Sequence, residues 1–362
     1  MDVALPARHV SSSVSVHEAS GVDEARLVAM GLAEALRFSG PDLHRVAQVV
    51  TEAATNILRH AERGEILLRP SAPEAPASIE VLALDRGPGM ANVAHASRDG
   101  VSTSGSKGLG LGAIMRLSTF CEITSAPGKG TALLAYIGRA EPRRLPEDGR
   151  GSDPEGSDLE WGVVCVPQRE EKVCGDAWAV AGGTGRNAVL IVDGLGHGHL
   201  AFAAAEQALH AFQGCLFERP EATLKTLHEA MSGTRGAVAA VAEIDWRQRK
   251  LRYVGAGNIA GTLVPAKGAA YNMVSHNGTL GKQVTRFQEF IYPWPEQGLL
   301  ILHSDGLSSH WDIEPYPGLT RKHPSLIAGV LYRDFASRRD DVVVLVGRER
   351  ERTRRGKEGD PI

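Results

Sequence analysis

The chain has no uninterrupted apolar run of the roughly 18 residues that a membrane helix needs, although 43% of its 362 residues are hydrophobic. A membrane partner is therefore not expected. It also lacks a basic excess: 40 Lys and Arg against 43 Asp and Glu leave a net charge of -3, which argues against nucleic acid as a partner. The N-terminal stretch MDVALPARHVSSS has no basic region followed by an apolar one, so no secretory signal is visible and a cytoplasmic location is expected. Cys121, Cys165, Cys174 and Cys215 never fall at CxxC spacing, which argues against a zinc site and a disulfide framework and predicts reduced, packed thiols. There is no GxxxxGK followed by Ser or Thr, and no GxGxxG, so neither a Walker A loop nor a dinucleotide fingerprint is present. No repeat of fixed period links one half to the other.

What is present divides in two. A chain of this length accommodates two domains with separate cores. The stretch AEPRRLPEDGRGSDPEGSD is rich in proline, glycine and charge, the composition of a solvated linker. The expected organisation is a domain at 1–139, a linker at 140–158, a second domain at 159–347 and a charged tail at 348–362. Apolar residues returning every three or four positions predict helices over 22–38 and 41–61, then strands at 66–68 and 79–84, a helix over 109–120 and a hairpin of 121–125 with 131–137. The second part predicts strands at 161–167, 177–181, 188–193, 237–244, 251–254, 299–303 and 342–346, with helices at 199–212 and 221–231. The class is α+β: a helix-on-sheet sandwich followed by two packed sheets with covering helices.

Three segments of the first part suit a nucleotide. In TEAATN, Glu52 and Asn56 are four apart and share a helix face with His60, while Val49, Ala53, Ile57 and Leu58 cover much of the other side. An amide oxygen is a hard ligand suited to Mg²⁺, and a carboxylate one turn away can take a proton from a hydroxyl. Asp85 ends a strand before the turn Arg86-Gly87-Pro88-Gly89 and could accept from an adenine amino group. In STSGSKGLGLG the glycines Gly108, Gly110 and Gly112 allow backbone N–H groups to approach phosphates at the start of a helix. Leu109 sits in that loop, and Lys107 either touches a phosphate or is merely solvated. In this order, over about residues 10–138, the segments resemble the nucleotide-binding boxes of the GHKL ATPase superfamily, especially the RsbT-like serine/threonine kinases of the anti-sigma type. The resemblance implies Mg²⁺ and ATP, with Glu52 as general base, Asn56 on Mg²⁺, Asp85, Gly87 and Gly89 at the adenine, Gly108, Gly110 and Gly112 near the phosphates, and Thr131 beside the adenine pocket. His60 is left as structural.

The second part places aspartates at strand ends: Asp176 in GDAWAV, Asp193 in DGLGHG, Asp305 in SDG and Asp340 in RDD. Carboxylates, a backbone carbonyl and water suit octahedral Mn²⁺ or Mg²⁺, and a pair of such ions activates water against a phosphoryl group. His197 and His199 stand in a glycine-rich loop rather than four apart on a helix, so a zinc reading ranks lower, although His197 could assist a bound phosphate. The four segments resemble PP2C-type phosphatases of the SpoIIE-like branch, most nearly the short RsbX-like members. The resemblance implies an αββα sandwich in which Asp176, Asp193, the Gly194 carbonyl, Asp305 and Asp340 hold two Mn²⁺ or Mg²⁺ ions, with Asp340 preferred to Asp341. GAGNIAG departs from the AGHxP of many relatives, which leaves substrate recognition open.

The function expected is a kinase and a phosphoserine/phosphothreonine phosphatase on one chain, acting on STAS-domain proteins of the RsbS or RsbR kind or on sigma-factor regulators. The alternative is a phosphatase whose first domain only binds ATP and a partner.

Overall fold

A computed structural model describes residues 10–61, 63–70, 77–96, 110–139, 159–183 and 185–350. The first domain runs β1 (Ser12–Val16), α1 (Ala19–Ala35), α2 (Gly40–His60), β2 (Gly64–Pro70), β3 (Ser78–Asp85), α3 (Val93–Ala96), α4 (Gly110–Leu117), β4 (Phe120–Ser125) and β5 (Thr131–Gly138). Its antiparallel sheet has the order β1-β2-β3-β5-β4. On α2, Val46, Val49, Val50, Ala53, Ala54 and Ile57 form the buried stripe that fixes its face. Pro41, which has no N–H to leave unpaired, suits its start, and Asp42 in the first turn with Arg59 and His60 in the last suit the two ends of the helix dipole.

The second domain runs β6 (Leu159–Val166), β7 (Asp176–Gly183), β8 (Arg186–Gly194), α5 (His199–Gly214), α6 (Pro220–Ala230), β9 (Ala237–Asp245), β10 (Lys250–Ala256), β11 (Ala260–Val264), β12 (Tyr271–Asn272), β13 (Gly278–Thr279), β14 (Gln283–Val284), β15 (Phe290–Pro293), β16 (Leu299–His303), α7 (Pro324–Phe335) and β17 (Val342–Glu349). Two sheets, β15-β10-β9-β8-β7 and β12-β11-β16-β17-β6, pack face to face through Val163, Leu300, Val343 and Leu345 on one side and Val189, Ile191, Ala240 and Tyr253 on the other. Helices α5 and α6 cover the outer face of the first of these sheets. The expected α+β class is the one observed. Among the described residues no helix is long and apolar enough to cross a membrane.

Helix α7 joins the two domains. Strand alternation sends Ile66, Leu68, Val81, Leu133 and Ala135 toward α1 and α2, and sends Leu67, Leu82, Leu84, Leu134 and Tyr136 the other way, against α7. The opposite side of α7 meets Val164, Ile301, Val342 and Val344 of the β6-containing sheet. The layers therefore stack α-β-α-β-β-α, with one helix shared between two sheets. Close approach is possible because glycine stands on both sides of the contact. A side chain at Gly162 of β6 would come within 1.9 Å of the Ser325 nitrogen, and one at Gly329 of α7 within 3.1 Å of Leu84.

A polar cluster crosses the same layer. Arg69 and Glu80 form a buried ion pair at 2.8 Å, and the Ser325 hydroxyl donates to the same carboxylate at 2.8 Å. Tyr332 and Arg338 donate to Glu65 of β2 at 3.0 Å and 2.7 Å.

The elements predicted from the sequence appear with shifted ends: the expected helix over 109–120 stops at Leu117, and Phe120 opens β4. Strand β17 runs to Glu349, into the segment expected as tail, because Arg348 bonds to Glu160 and the Glu349 nitrogen donates to the Gly298 carbonyl. The expected linker lies outside the described residues. All four cysteines are unpaired; Cys165, Cys174 and Cys215 are buried and Cys121 is half-buried.

Candidate active sites

The amphipathic stripe of α2 turns Glu52 and Asn56 away from the core, toward the start of α4. A side chain at Gly110 would come within 3.1 Å of the Asn56 Oδ1 and 3.2 Å of the Glu52 Oε2, so the glycine admits both groups to the N-terminus of this eight-residue helix. The Asn56 Nδ2 is buried and has no hydrogen-bond partner among the described residues, which leaves a donor for a group that enters here. Gly112 is buried on α4. Lys107, Gly108 and Leu109 lie outside the described residues.

Asp85 stands at the end of β3. Its Oδ1 accepts from the Gly87 nitrogen at 2.8 Å and the Thr131 nitrogen at 3.1 Å, which orients the carboxylate and leaves Oδ2 for another donor. Burial holds the Asp85 carboxyl above its ordinary range, against those two hydrogen bonds. The turn needs its glycines. Gly89, at φ 71°, carries no side chain where one would lie 2.0 Å from the Ala126 carbonyl, and Gly130, at φ 67°, is likewise 2.1 Å from the Asp85 carbonyl. The structure thus brings Asp85, Gly87, Gly89 and Thr131 together at the meeting of β3 with the β4–β5 hairpin.

In the second domain Asp176 and Asp193 face each other in register across β7 and β8. Asp193, Asp305 and Asp340 line one open cavity of about 370 Å³ with Gly196, Gly257, Asn258 and Asn277. Asp176 lies deeper, accepting from the Ser304 hydroxyl at 2.6 Å. Asp341, beside Asp340, has both oxygens committed to backbone, to the Gln168 and Gly175 nitrogens at 2.7 Å each, so the Asp340 side chain is the one that reaches the cavity. Gly194 has no room for a side chain, since one would come within 2.3 Å of the Ala201 carbonyl.

The electrostatics of this cluster are unfavourable by themselves. Burial, then the charges of Asp305, Asp340 and Asp341, push the Asp193 carboxyl up to about 8, and burial followed by Asp193 pushes Asp176 well up. Burial and Asp340 raise Asp305, against a hydrogen bond from Asn258. Among the described residues no three His, Cys, Asp or Glu side chains stand close enough to wrap an ion as placed. The donor set nevertheless fits hard divalent cations: it is all oxygen and mutually repelling, and it faces an open cavity.

Some participants escaped the sequence reading. Asn258 donates to the Asp305 Oδ2 at 2.6 Å, and GAGNIAG was the signal that could have found it. Ser304, next to Asp305 in SDG, was available in the same way. His197 is paired with Glu171 at 2.7 Å.

Fold and sites together define a two-domain chain for phosphate chemistry, a nucleotide-binding helix-on-sheet domain fused to a phosphatase sandwich. The histidine kinase-like ATPase domain family matches residues 16–137, and the stage II sporulation protein E (SpoIIE) family matches residues 183–348. The serine/threonine-protein kinase RsbT of Bacillus subtilis is 32% identical over 111 residues, 31% of this chain and 84% of that protein. The phosphoserine phosphatase RsbX of the same organism is 24% identical over 187 residues, 51% of this chain and 92% of that one. Among solved structures, a chain of the bacterial stressosome is 29% identical with a TM-score of 0.49, covering 52% of this chain and 99% of its own. The chain therefore belongs, through its N-terminal domain, to the histidine kinase-like ATPase family with RsbT, and its C-terminal domain is a SpoIIE-family, PP2C-type serine/threonine phosphatase. It is a regulator of the partner-switching type, built from domains of the classes that use ATP and divalent metal ions.

Proposed function

We propose that both domains are catalytic, with the N-terminal domain a Mg²⁺- and ATP-dependent serine/threonine protein kinase and the C-terminal domain removing phosphate from phosphoserine or phosphothreonine. The substrates would be STAS-domain proteins or sigma-factor regulators, and the site of action the cytoplasm. The division follows residues 1–139 and 159–347.

In the kinase site, Asp85 accepts from the adenine amino group through its free oxygen, and Gly87, Gly89 and Thr131 shape the pocket around it. Asn56 offers its amide oxygen to Mg²⁺. Gly110 and Gly112 offer backbone donors to the phosphates, and Lys107, Gly108 and Leu109 are assigned to the same group. Glu52 takes the proton of the attacking hydroxyl. In the phosphatase site, Asp176, Asp193, the Gly194 carbonyl, Asp305 and Asp340 would hold two Mn²⁺ or Mg²⁺ ions, which would supply an activated water and neutralise the phosphoryl oxygens. Asn258 fixes the rotamer of Asp305.

The observation that carries the kinase reading is the junction of Glu52 and Asn56 with Gly110, where a proton acceptor and a metal-binding amide share the mouth of a helix N-terminus. The test uses the full chain with Asp193→Asn, so that product phosphate is not removed, together with labelled ATP and a STAS-domain protein. Adding Glu52→Gln should lower transfer by at least about 100-fold while nucleotide still binds. Transfer that survives the substitution, or a stable complex without transfer in the parent, favours a non-catalytic ATP-responsive docking domain instead.

A further inference from the structure

The nucleotide site is not built by the first domain alone. The Asp85 carbonyl accepts from Arg333 Nη1 at 2.8 Å, and Arg333 belongs to the last turn of α7, in the phosphatase half. Arg333 is buried, and its guanidinium is fixed by Asp334 at 3.0 Å and 2.6 Å. Arg86 returns the contact by donating to the Arg333 carbonyl and standing 3.4 Å from Asp334. The hairpin that carries Thr131 reaches the same carboxylate through a chain of contacts: Lys129 lies over the ring of Tyr316 at 5.3 Å, and the Tyr316 hydroxyl donates to Asp334 at 2.7 Å. One turn of α7 thus holds both the end of β3 and the β4–β5 hairpin.

The same helix end holds the loop that follows Asp305. The Ser308 nitrogen donates to the Phe335 carbonyl at 3.0 Å, and the Ser337 nitrogen to the Gly306 carbonyl at 2.9 Å. Leu307 and Ala336 form a bridge between these bonds. Gly306 is tightly seated, since a side chain there would lie 2.1 Å from the Asp341 carbonyl. One hydrogen-bonded turn thus links the Asp85 carbonyl to the loop that follows Asp305.

We infer that Arg333 is a positioning residue of the nucleotide site, supplied by the phosphatase half, and that its turn of α7 couples adenine-nucleotide occupancy to divalent-metal affinity at Asp305. The inference rests on the nucleotide reading of Asp85. Coupling of this kind is reciprocal: whatever factor nucleotide imposes on metal affinity, metal imposes on nucleotide affinity.

Calorimetry on the full chain tests it, with ADP and GDP titrated in the presence of Mg²⁺ and Mn²⁺ titrated with and without ADP. Arg333→Met removes a charge-assisted hydrogen bond, so ADP affinity should fall by about tenfold or more and the preference for ADP over GDP should shrink. Arg333→Lys, which keeps a donor, should restore part of both. In the wild-type chain ADP should change Mn²⁺ affinity by roughly fivefold or more, and the change should vanish in Arg333→Met. Arg86→Ala leaves Arg333 in place, removes the second strap and should weaken the coupling, which guards against a misfolded Arg333 variant. General destabilisation would lower the thermal midpoint without altering base preference. If ADP binds the wild-type chain, and the variants keep its affinity, its base preference and its effect on Mn²⁺, the inference is overturned while the nucleotide reading stands. No adenine nucleotide binding to the wild-type chain removes both.

Discussion

Replacing Asp193 with asparagine separates the stability burden of the metal cavity from its use. The folded carboxyl is pushed up to about 8, from an ordinary value of 3.8, by burial and by Asp305, Asp340 and Asp341. An acid whose folded value is raised binds its proton more tightly in the native state than in the unfolded one. Its contribution to stability is thus fully present below about pH 3.8 and is lost as pH rises toward 8. At 1.36 kcal/mol for each pH unit above 3.8, the loss is about 4 kcal/mol at pH 7. Asparagine has the shape of the protonated acid and no such dependence. With a chelator present, Asp193→Asn should raise the thermal midpoint at pH 7 by on the order of 10 °C, with the gain fading toward pH 4. With Mn²⁺ the ranking should invert in function: the wild-type chain gains stability and hydrolyses a phosphoprotein, and the variant does neither. An unchanged or lowered midpoint for the variant at pH 7 in chelator would refute the reasoning, because the aspartates would not then be repelling one another.

Asn258→Ala removes the 2.6 Å bond that holds Asp305, so half-saturation of phosphatase activity by Mn²⁺ should move up by about tenfold; an unchanged titration would take Asn258 out of the site. Gly162→Ala drives a methyl group to 1.9 Å from the Ser325 nitrogen, against backbone that has no rotamer to yield, and should destabilise the chain by about 3 kcal/mol or more in urea unfolding. Gly329→Ala, on the other surface of α7, meets a flexible leucine at 3.1 Å and should change stability by no more than about 1 kcal/mol. Equal effects at the two glycines would show that α7 is not held between the sheets in this way.

The parts of the fold that were legible in the sequence are those whose burial is one-sided. Helix α2 shows its inward stripe at Val46, Val49, Val50, Ala53 and Ile57, and β8 and β16 are short apolar runs that lead into an acid followed by glycine, at Asp193 and Asp305. Helix α7 was not read. From Pro324 to Arg333 every residue is buried, so PSLIAGVLYR has no polar face to reveal a helical period. Strand β1 escaped for another reason: Ser13 and Ser15 are exposed on an edge strand, and SSVSV looks like loop until β2 pairs with it. The chemistry was more legible than its support. Glu52, Asp85 and Asp193 sit in short motifs, whereas Ser304 and Arg333 act through contacts 128 and 248 residues away in sequence that no local pattern announces.

The shared helix also decides how the two halves can be studied. Cut away from residues 159–347, the first domain would expose Leu67, Leu82, Leu84, Leu134 and Tyr136 as one row on the open face of its sheet, with the Arg69–Glu80 pair beside them. At about 2 kcal/mol for each large apolar side chain returned to water, the loss is on the order of 10 kcal/mol, comparable to the whole stability of an ordinary domain. The N-terminus adds a second tie, because the Ser11 nitrogen donates to the Cys165 carbonyl of β6 at 2.7 Å. Expressed alone, residues 1–139 should therefore aggregate, or self-associate through that sheet face. Replacing Leu82 and Leu134 with lysine should restore a monomer in the fragment yet destabilise the full chain. Light scattering and urea unfolding distinguish the cases. A fragment that is monomeric without substitution, and as stable as the full chain, would mean that α7 rests on the sheet without contributing to its stability, and the two active sites would then have no common structural layer through which to influence each other.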